Sequence, residues 1–296
     1  MATTPTSQED WTVHALNIHG VFFERRCAAA IAASAEWTLV SSNYPVEYPA
    51  PNGPWRGKES SLDLRARRLF EDGHVIDVQI ECKKANPDFV NWVFFPKASG
   101  TNQSPFWTSA SIITPSEVEG GHWTTDHIIQ RGVTSMPIAN DSREVRGDYA
   151  KHQSSVKTKT SNAAIQDAAY QVALANRAIV GEDATLLAIA RSAASHPHPP
   201  WIRKTYIPMI VTTARLFQAE FSTDSVVIAS GEIPIDAVKL KSISNVLYEY
   251  PLPKHLQHSP VDALPALMGT ELESFTRMHI VIVQAESLQS LLAGLS

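Results

Sequence analysis

Residues 61–84, SLDLRARRLFEDGHVIDVQIECKK, carry two carboxylates and a lysine at spacings that let them share one site. In the first half Leu62, Leu64 and Ala66 alternate with Asp63, Arg65 and Arg67. In the second half Ile76, Val78, Ile80 and Cys82 alternate with Asp77, Gln79, Glu81 and Lys83. Strand side chains repeat every two residues, so Glu81 and Lys83 point the same way, about 7 Å apart along the chain. The turn signal Glu71-Asp72-Gly73 predicts an antiparallel hairpin that brings Asp63 beside Glu81. Carboxylate oxygens converging on one point suit Mg²⁺ or Mn²⁺, hard cations that prefer oxygen ligands. Such a metal polarises a phosphate and acidifies a bound water, while Lys83 steadies a water or a developing negative charge. The chemistry expected is phosphodiester hydrolysis. Asp77 falls on the Glu81 face two pleats away and reads as a surface residue; Glu59, ahead of the first strand, reads as a turn residue.

The elements that must position these groups follow from local pattern. Residues 1–14 are polar and Thr/Ser/Pro-rich at their start and read as a flexible tail. Val21, Phe22, Cys27, Ala28, Ile31 and Ala32 recur at helical spacing over residues 19–37, with Glu24 near the start. Residues 37–40 read as a short strand, and the Pro-rich segment 44–55 as loop or edge structure. Downstream, residues 162–180 have helical spacing behind an Asn162 cap, and a second helix is expected over 183–194, after Gly181. Residues 206–217, 225–235 and 278–284 read as strands, and 286–295 as a closing helix. Helices flanking a central mixed sheet give an α/β layered architecture.

Composition limits the alternatives. The 296 residues are 44% hydrophobic, enough for a sizeable core. A net charge of −5 argues against nonspecific coating of nucleic acid and leaves a local basic groove open. Two cysteines, Cys27 and Cys82, both in apolar runs, point to buried thiols and a reducing compartment rather than a disulfide scaffold. No run reaches the roughly 18 apolar residues of a membrane helix, and no leader pattern is present, so a cytoplasmic protein without membrane contact is expected. Neither a GxxxxGK phosphate loop nor a GxSxG elbow occurs. His196 and His198, and likewise His255 and His258, lack further ligands at zinc spacing and read as loop residues. Residues 143–159 are the most basic stretch; Lys157 and Lys159 are candidate phosphate contacts, and Trp107 and Trp123 candidate stacking groups.

An early helix bearing Glu24 after an aromatic residue, then a strand, Asp63 and Glu81-Cys82-Lys83, resembles the PD-(D/E)XK phosphodiesterase superfamily. The segment GVFFERRCAAAIAASAEWTLVSS is similar to the opening of archaeal Holliday junction resolvases. Gln166 and Tyr170 fit the QxxxY pattern of the RecB-like branch. Where the superfamily often has proline before its aspartate, this chain has Leu62. The resemblance implies a restriction-endonuclease-like α/β core, with one nuclease domain over 15–296 and an insertion at about 98–160. By that resemblance Asp63, Glu81, Glu24 and the Cys82 carbonyl hold Mg²⁺ or Mn²⁺, Lys83 is the catalytic lysine, and Gln166 and Tyr170 contact substrate. The expected activity is metal-dependent cleavage of DNA, or RNA, by a protein able to form a homodimer. The competing expectation is a noncatalytic binding or assembly module on the same scaffold.

Overall fold

The computed structural model describes residues 7–47, 59–71, 73–96, 108–111, 136–147, 161–193, 203–257 and 276–295. Lys157 and Lys159, with Trp107 and Trp123, lie outside the described residues. Two helices, α1 (Gln8–Ile18) and α2 (Val21–Ala32), come first. Four strands follow: β1 (Thr38–Glu47), β2 (Glu59–Leu69), β3 (His74–Lys83) and β4 (Asn91–Pro96). After β5 (Thr108–Ser111) and β6 (Ile138–Val145) comes the long helix α3 (Ala163–Ala193). The chain continues with β7 (Arg203–Thr212), β8 (Arg215–Glu220), β9 (Lys239–Ile243), β10 (Asn245–Pro251) and the single turn α4 (Lys254–Gln257). It closes with β11 (Arg277–Gln284) and α5 (Leu288–Gly294).

All the described strands join one mixed sheet in the order β1-β2-β3-β7-β11-β10-β6-β4-β8-β9, with β5 against the first half of β7. β3, β7 and β11 run parallel, whereas β1, β2 and β3 form an antiparallel meander at one edge. The expected hairpin is present: β2 and β3 pair antiparallel from Leu69–Val75 to Leu64–Ile80, and Gly73 turns with φ +84°. Alternation along these strands serves both faces of the sheet. Leu64, Ala66, Ile76, Val78 and Ile80 pack with Cys27 and Ile31 of α2 and with Leu288, Leu291 and Leu292 of α5. On the other face α3 covers Tyr206, Ile210, Leu216, Tyr248 and Ile282 with Ile165, Ala168, Val172 and Ile179. The architecture is thus α/β, a large mixed sheet flanked by helices. No helix among the described residues is long and apolar enough to cross a membrane.

Several local expectations are corrected. Gln8–Ile18 is helical rather than tail, started by a capping box in which Ser7 and Asp10 satisfy each other's main-chain amides. Gly181 does not break α3, which runs on to Ala193 because burial of its apolar face outweighs one glycine. Residues 206–217 form two strands rather than one, parted at Thr213 and Ala214. Residues 225–235 make turns and short 3-10 segments instead of a strand. The stretch expected as an insertion supplies β6 between β10 and β4, and its Glu144 accepts the Ala164 and Ile165 N–H groups (2.7 and 3.2 Å), capping α3.

Asp77 is the largest departure, for it is fully buried. Arg65 grips it with Nε and a terminal nitrogen, each 2.9 Å from a carboxylate oxygen, and Arg67 and Lys204 approach to 3.0 and 3.1 Å. Gln79 donates to it at 2.7 Å and accepts from Asn176 of α3 at 2.9 Å. Asp183 of α3 completes the cluster, bonded by Lys204 and by the Tyr206 hydroxyl. Burial pushes the Asp77 carboxyl up, but the Arg65 hydrogen bond and the charges of Lys204, Arg65 and Arg67 outweigh it and hold Asp77 below its ordinary range. A depressed pKa means stability present above the ordinary value of 3.8 and lost as pH falls below it. Replacing Asp77 with Ala leaves the buried Arg65 and Lys204 to share Asp183 and removes the carboxylate that Arg67 reaches. The expected cost is about 3–5 kcal/mol in chemical unfolding at neutral pH, and the difference from wild type should shrink in acid.

Candidate active site

The β2–β3 ladder ends at Leu64–Ile80, and one step further the same register sets Asp63 opposite Glu81. There a side chain takes over from the ladder: an Asp63 oxygen accepts the Cys82 N–H at 2.7 Å. That bond fixes the Asp63 carboxylate against β3. Glu81 lies on the same strand face as Gln79 and Asp77 and is only 5% exposed. Its Oε2 is buried and has no hydrogen-bond partner among the described residues. Lys83, half-buried, is held by the β3–β7 pairing opposite Thr212, and its carbonyl accepts the Thr213 N–H at 3.3 Å.

Glu24 enters from the first turn of α2, where a carboxylate favours the exposed amides. The turn between α1 and α2 rests on Gly20, whose φ of +81° suits glycine. A Cβ built there would stand 3.8 Å from Glu24 Oε1 and 3.7 Å from Lys84 Cβ, so the Gly20 turn, Glu24 and the end of β3 are neighbours. Lys84 donates to the Asn17 carbonyl and ties the end of α1 to the same place. Neither Gly20 nor Lys84 was legible as part of this region; the signal available was a glycine between two helical patterns.

Electrostatics bind the four groups together. Burial pushes the Asp63 carboxyl up to about 6; the Cys82 N–H pulls it back, the Glu24 charge adds to the rise, and Lys83 lowers it. Burial likewise pushes Glu81 up to about 8, the Asp63 charge adds to this, Lys83 opposes it and Glu24 reinforces it. One lysine does not neutralise three carboxylates in a partly desolvated corner. Cys82 presents its main chain here, whereas its side chain is buried beside Cys27 in the α2-side core. The Cys27 hydrogen bond and burial push the Cys82 thiol up, so it stays protonated and inert.

Gln166 and Tyr170 lie in the first turns of α3. Gln166 donates to the Tyr248 hydroxyl at 2.7 Å, and the Tyr170 hydroxyl meets His255 Nε2 at 3.2 Å. Tyr248 is on β10 and His255 on α4, and among the described residues no hydrogen bond joins Gln166 or Tyr170 to Asp63, Glu81 or Lys83. Asp63, Glu81, Lys83 and Glu24 are thus brought together by β2, β3 and α2.

Whether these residues fit a hard cation is decided by the donors. Among the described residues no cluster of three or more His, Cys, Asp or Glu side chains forms a ready-made metal cage. Mg²⁺ needs no such cage, since it keeps several waters and commonly uses one or two carboxylates. A half-buried and a buried carboxylate whose ionised forms are disfavoured, one with an oxygen unpartnered among the described residues, match that requirement. The site fits.

A folded-state pKa raised above its ordinary value reverses the Asp77 case. The fold binds protons at Glu81 and Asp63 that the unfolded chain has released, so these groups cost stability as pH climbs from about 4.5 towards about 8. Glu81→Gln removes that charge while keeping the shape. Its unfolding free energy should exceed that of wild type by on the order of 2 kcal/mol at about pH 8, and the gap should close near pH 4; a gap independent of pH would contradict the account.

Comparison of the chain with protein-family models, curated proteins and solved structures finds no match, so these residues stand on their own geometry.

Proposed function

We propose that the chain is a metal-dependent nuclease that hydrolyses phosphodiester bonds in DNA on a restriction-endonuclease-like core. The observation that carries this reading is the Asp63–Glu81 pair, half-buried and buried respectively, opposed across β2 and β3, with Lys83 two residues along and Glu24 beside it. The order of elements supports it as well: a helix bearing the glutamate, the edge strand β1, the hairpin, and then the crossover through α3 to β7, parallel to β3.

Asp63, Glu81 and the Cys82 carbonyl would hold Mg²⁺ or Mn²⁺. When bound, that ion would polarise the scissile phosphate and acidify a water at neutral pH. Lys83 donates to the attacking water or to the oxygen on which charge develops. Glu24 accepts a proton of a water at the site, and the α2 N-terminus holds its carboxylate in place. Asp63 stays oriented throughout through the Cys82 N–H. Loading the cation requires both carboxyls to lose their protons, so affinity and cleavage rise together from about pH 6 to above about pH 8.

The test is a cleavage assay on linear, circular and branched DNA and on RNA with Mg²⁺, Mn²⁺ or EDTA. Products should appear with metal only and fall by about 100-fold or more in Asp63→Asn, Glu81→Gln and Lys83→Ala. Mn²⁺ should also raise the melting temperature of wild type by mass action and leave that of Glu81→Gln unchanged. Full activity in Glu81→Gln would sink the assignment. Metal-induced stabilisation without any product would instead favour a binding module that keeps the site.

A further inference from the structure

The chain holds two cysteines, and the fold brings them together. Cys27 belongs to α2 and Cys82 to β3, far apart in sequence, yet their side chains bond to each other in the core between helix and sheet. Both are buried, at 3% and 7% exposure. Any small apolar side chain fills such a layer, as Ala66 and Val78 do in the same cluster, so packing alone does not call for two sulfurs in contact. What adjoining thiols add is a bond that can form and break.

Their place in the fold gives that bond a lever. Glu24 stands one turn before Cys27 on α2, so helix and carboxylate move together. Cys82 stands between Glu81 and Lys83, and its N–H holds the Asp63 carboxylate at 2.7 Å. The two sulfurs therefore join the helix side of the carboxylate site to its strand side. A disulfide sets them about 2.05 Å apart, roughly 1.5 Å closer than two atoms in van der Waals contact. β3 is paired with β7 through Cys82 and Lys83 and resists the pull. α2 rests on side-chain packing behind Gly20, an N-cap that makes no side-chain bond, and takes up the movement with Glu24.

We propose that Cys27 and Cys82 form a reversible disulfide that switches the carboxylate site. The oxidant is a peroxide. Local opening of α2 exposes Cys27, whose sulfur takes one peroxide oxygen as the O–O bond breaks; the sulfur becomes a sulfenic acid and water leaves. When α2 closes, Cys82, inert towards reagents outside the fold, meets that sulfur. The S–S bond forms, and the sulfenic oxygen leaves as a second water with the Cys82 proton. Two thiols are oxidised to one disulfide, and one hydrogen peroxide is reduced to two waters. A dithiol restores the pair by exchange. The crosslink is independent of the nuclease reading; its effect on metal binding rests on that reading.

The test treats the full chain with hydrogen peroxide, removes the oxidant, and compares oxidised with reduced wild type. Intact mass should fall by about 2 Da, a nonreducing digest should yield one linked pair of peptides carrying Cys27 and Cys82, and dithiothreitol should reverse both. Hydrogen exchange across α2 should slow, and Mn²⁺ affinity, read from the rise in melting temperature, should fall about 10-fold or more. Cys27→Ala should form no link and keep its Mn²⁺ response after peroxide. Absence of the link, sulfinic acid in its place, or a link between two chains overturns the proposal. So does a link that leaves Mn²⁺ affinity unchanged. If the reduced chain binds no Mn²⁺, the nuclease reading fails instead, and α2 exchange unaltered by the link then overturns the switch.

Discussion

The register of β2 against β3 is the constraint on which the rest depends. A slip of one residue would turn every side chain of a strand to the opposite face, sending Asp63 and Glu81 apart and Leu64 or Ile80 into the polar layer. Two opposed interactions hold it. On the α2 side Leu64, Ala66, Val78 and Ile80 are packed into the core, and on the α3 side Arg65 reaches diagonally to Asp77 while Arg67 reaches it from directly across. A shifted ladder would bury these cations without their carboxylate. The ion cluster therefore contributes specificity as well as energy, since an apolar replacement of the same volume would pack well in more than one register.

The same cluster anchors α3. Asn176 bonds Gln79, and Asp183 takes Lys204 and Tyr206, seven residues and about two turns further along. Glu144 caps the other end from β6. The helix is thereby fixed at its N-terminus and along its middle, at Asn176 and Asp183, to strands from distant parts of the sheet, with β3 and β7 beneath it. The carboxylate pair inherits its rigidity from this clamp: Glu81 is two residues beyond Gln79 on a strand bonded along its whole length to β7.

Legibility in the sequence followed the range of the interaction. The β2–β3 hairpin, the Asp63–Glu81 proximity and the helix carrying Glu24 were readable because period-two and period-3.6 patterns and a turn signal are all local. Asp77 was misread because its partners Arg65 and Lys204 lie on separate elements, β2 and β7, and in the strand pattern it is indistinguishable from an exposed acid. Gly181 looked like a stop because propensity is local, whereas the burial that carries α3 through it comes from the sheet. β6 was hidden by its own sequence, IANDSREV, which has few apolar residues; it is a strand because parallel pairing with β10 and antiparallel pairing with β4 satisfy its main chain. Gln166 and Tyr170 matched a pattern that fixes their spacing on a helix, and their hydrogen bonds to Tyr248 and His255 come from elements far away in the chain.

One face of β3 displays a gradient of compensation. Asp77 has three cations and a glutamine around it, Gln79 is neutral and bonded on both sides, and Glu81, about 13 Å beyond Asp77, has among the described residues an oxygen with no partner and Lys83 alone to oppose three carboxylates. A fold that spends Arg65, Arg67 and Lys204 on one buried acid had the means to neutralise another. With none of them at Glu81 ionisation there is unfavourable, and under the proposed metal-binding reading it becomes favourable when a cation arrives from outside. The stability given up there and the affinity for such a cation are two sides of one free energy, because whatever lowers the pKa of Glu81 in the free protein lessens its gain on binding. Neutralising the pair with a second lysine would therefore strengthen the fold and weaken the site by the same physics.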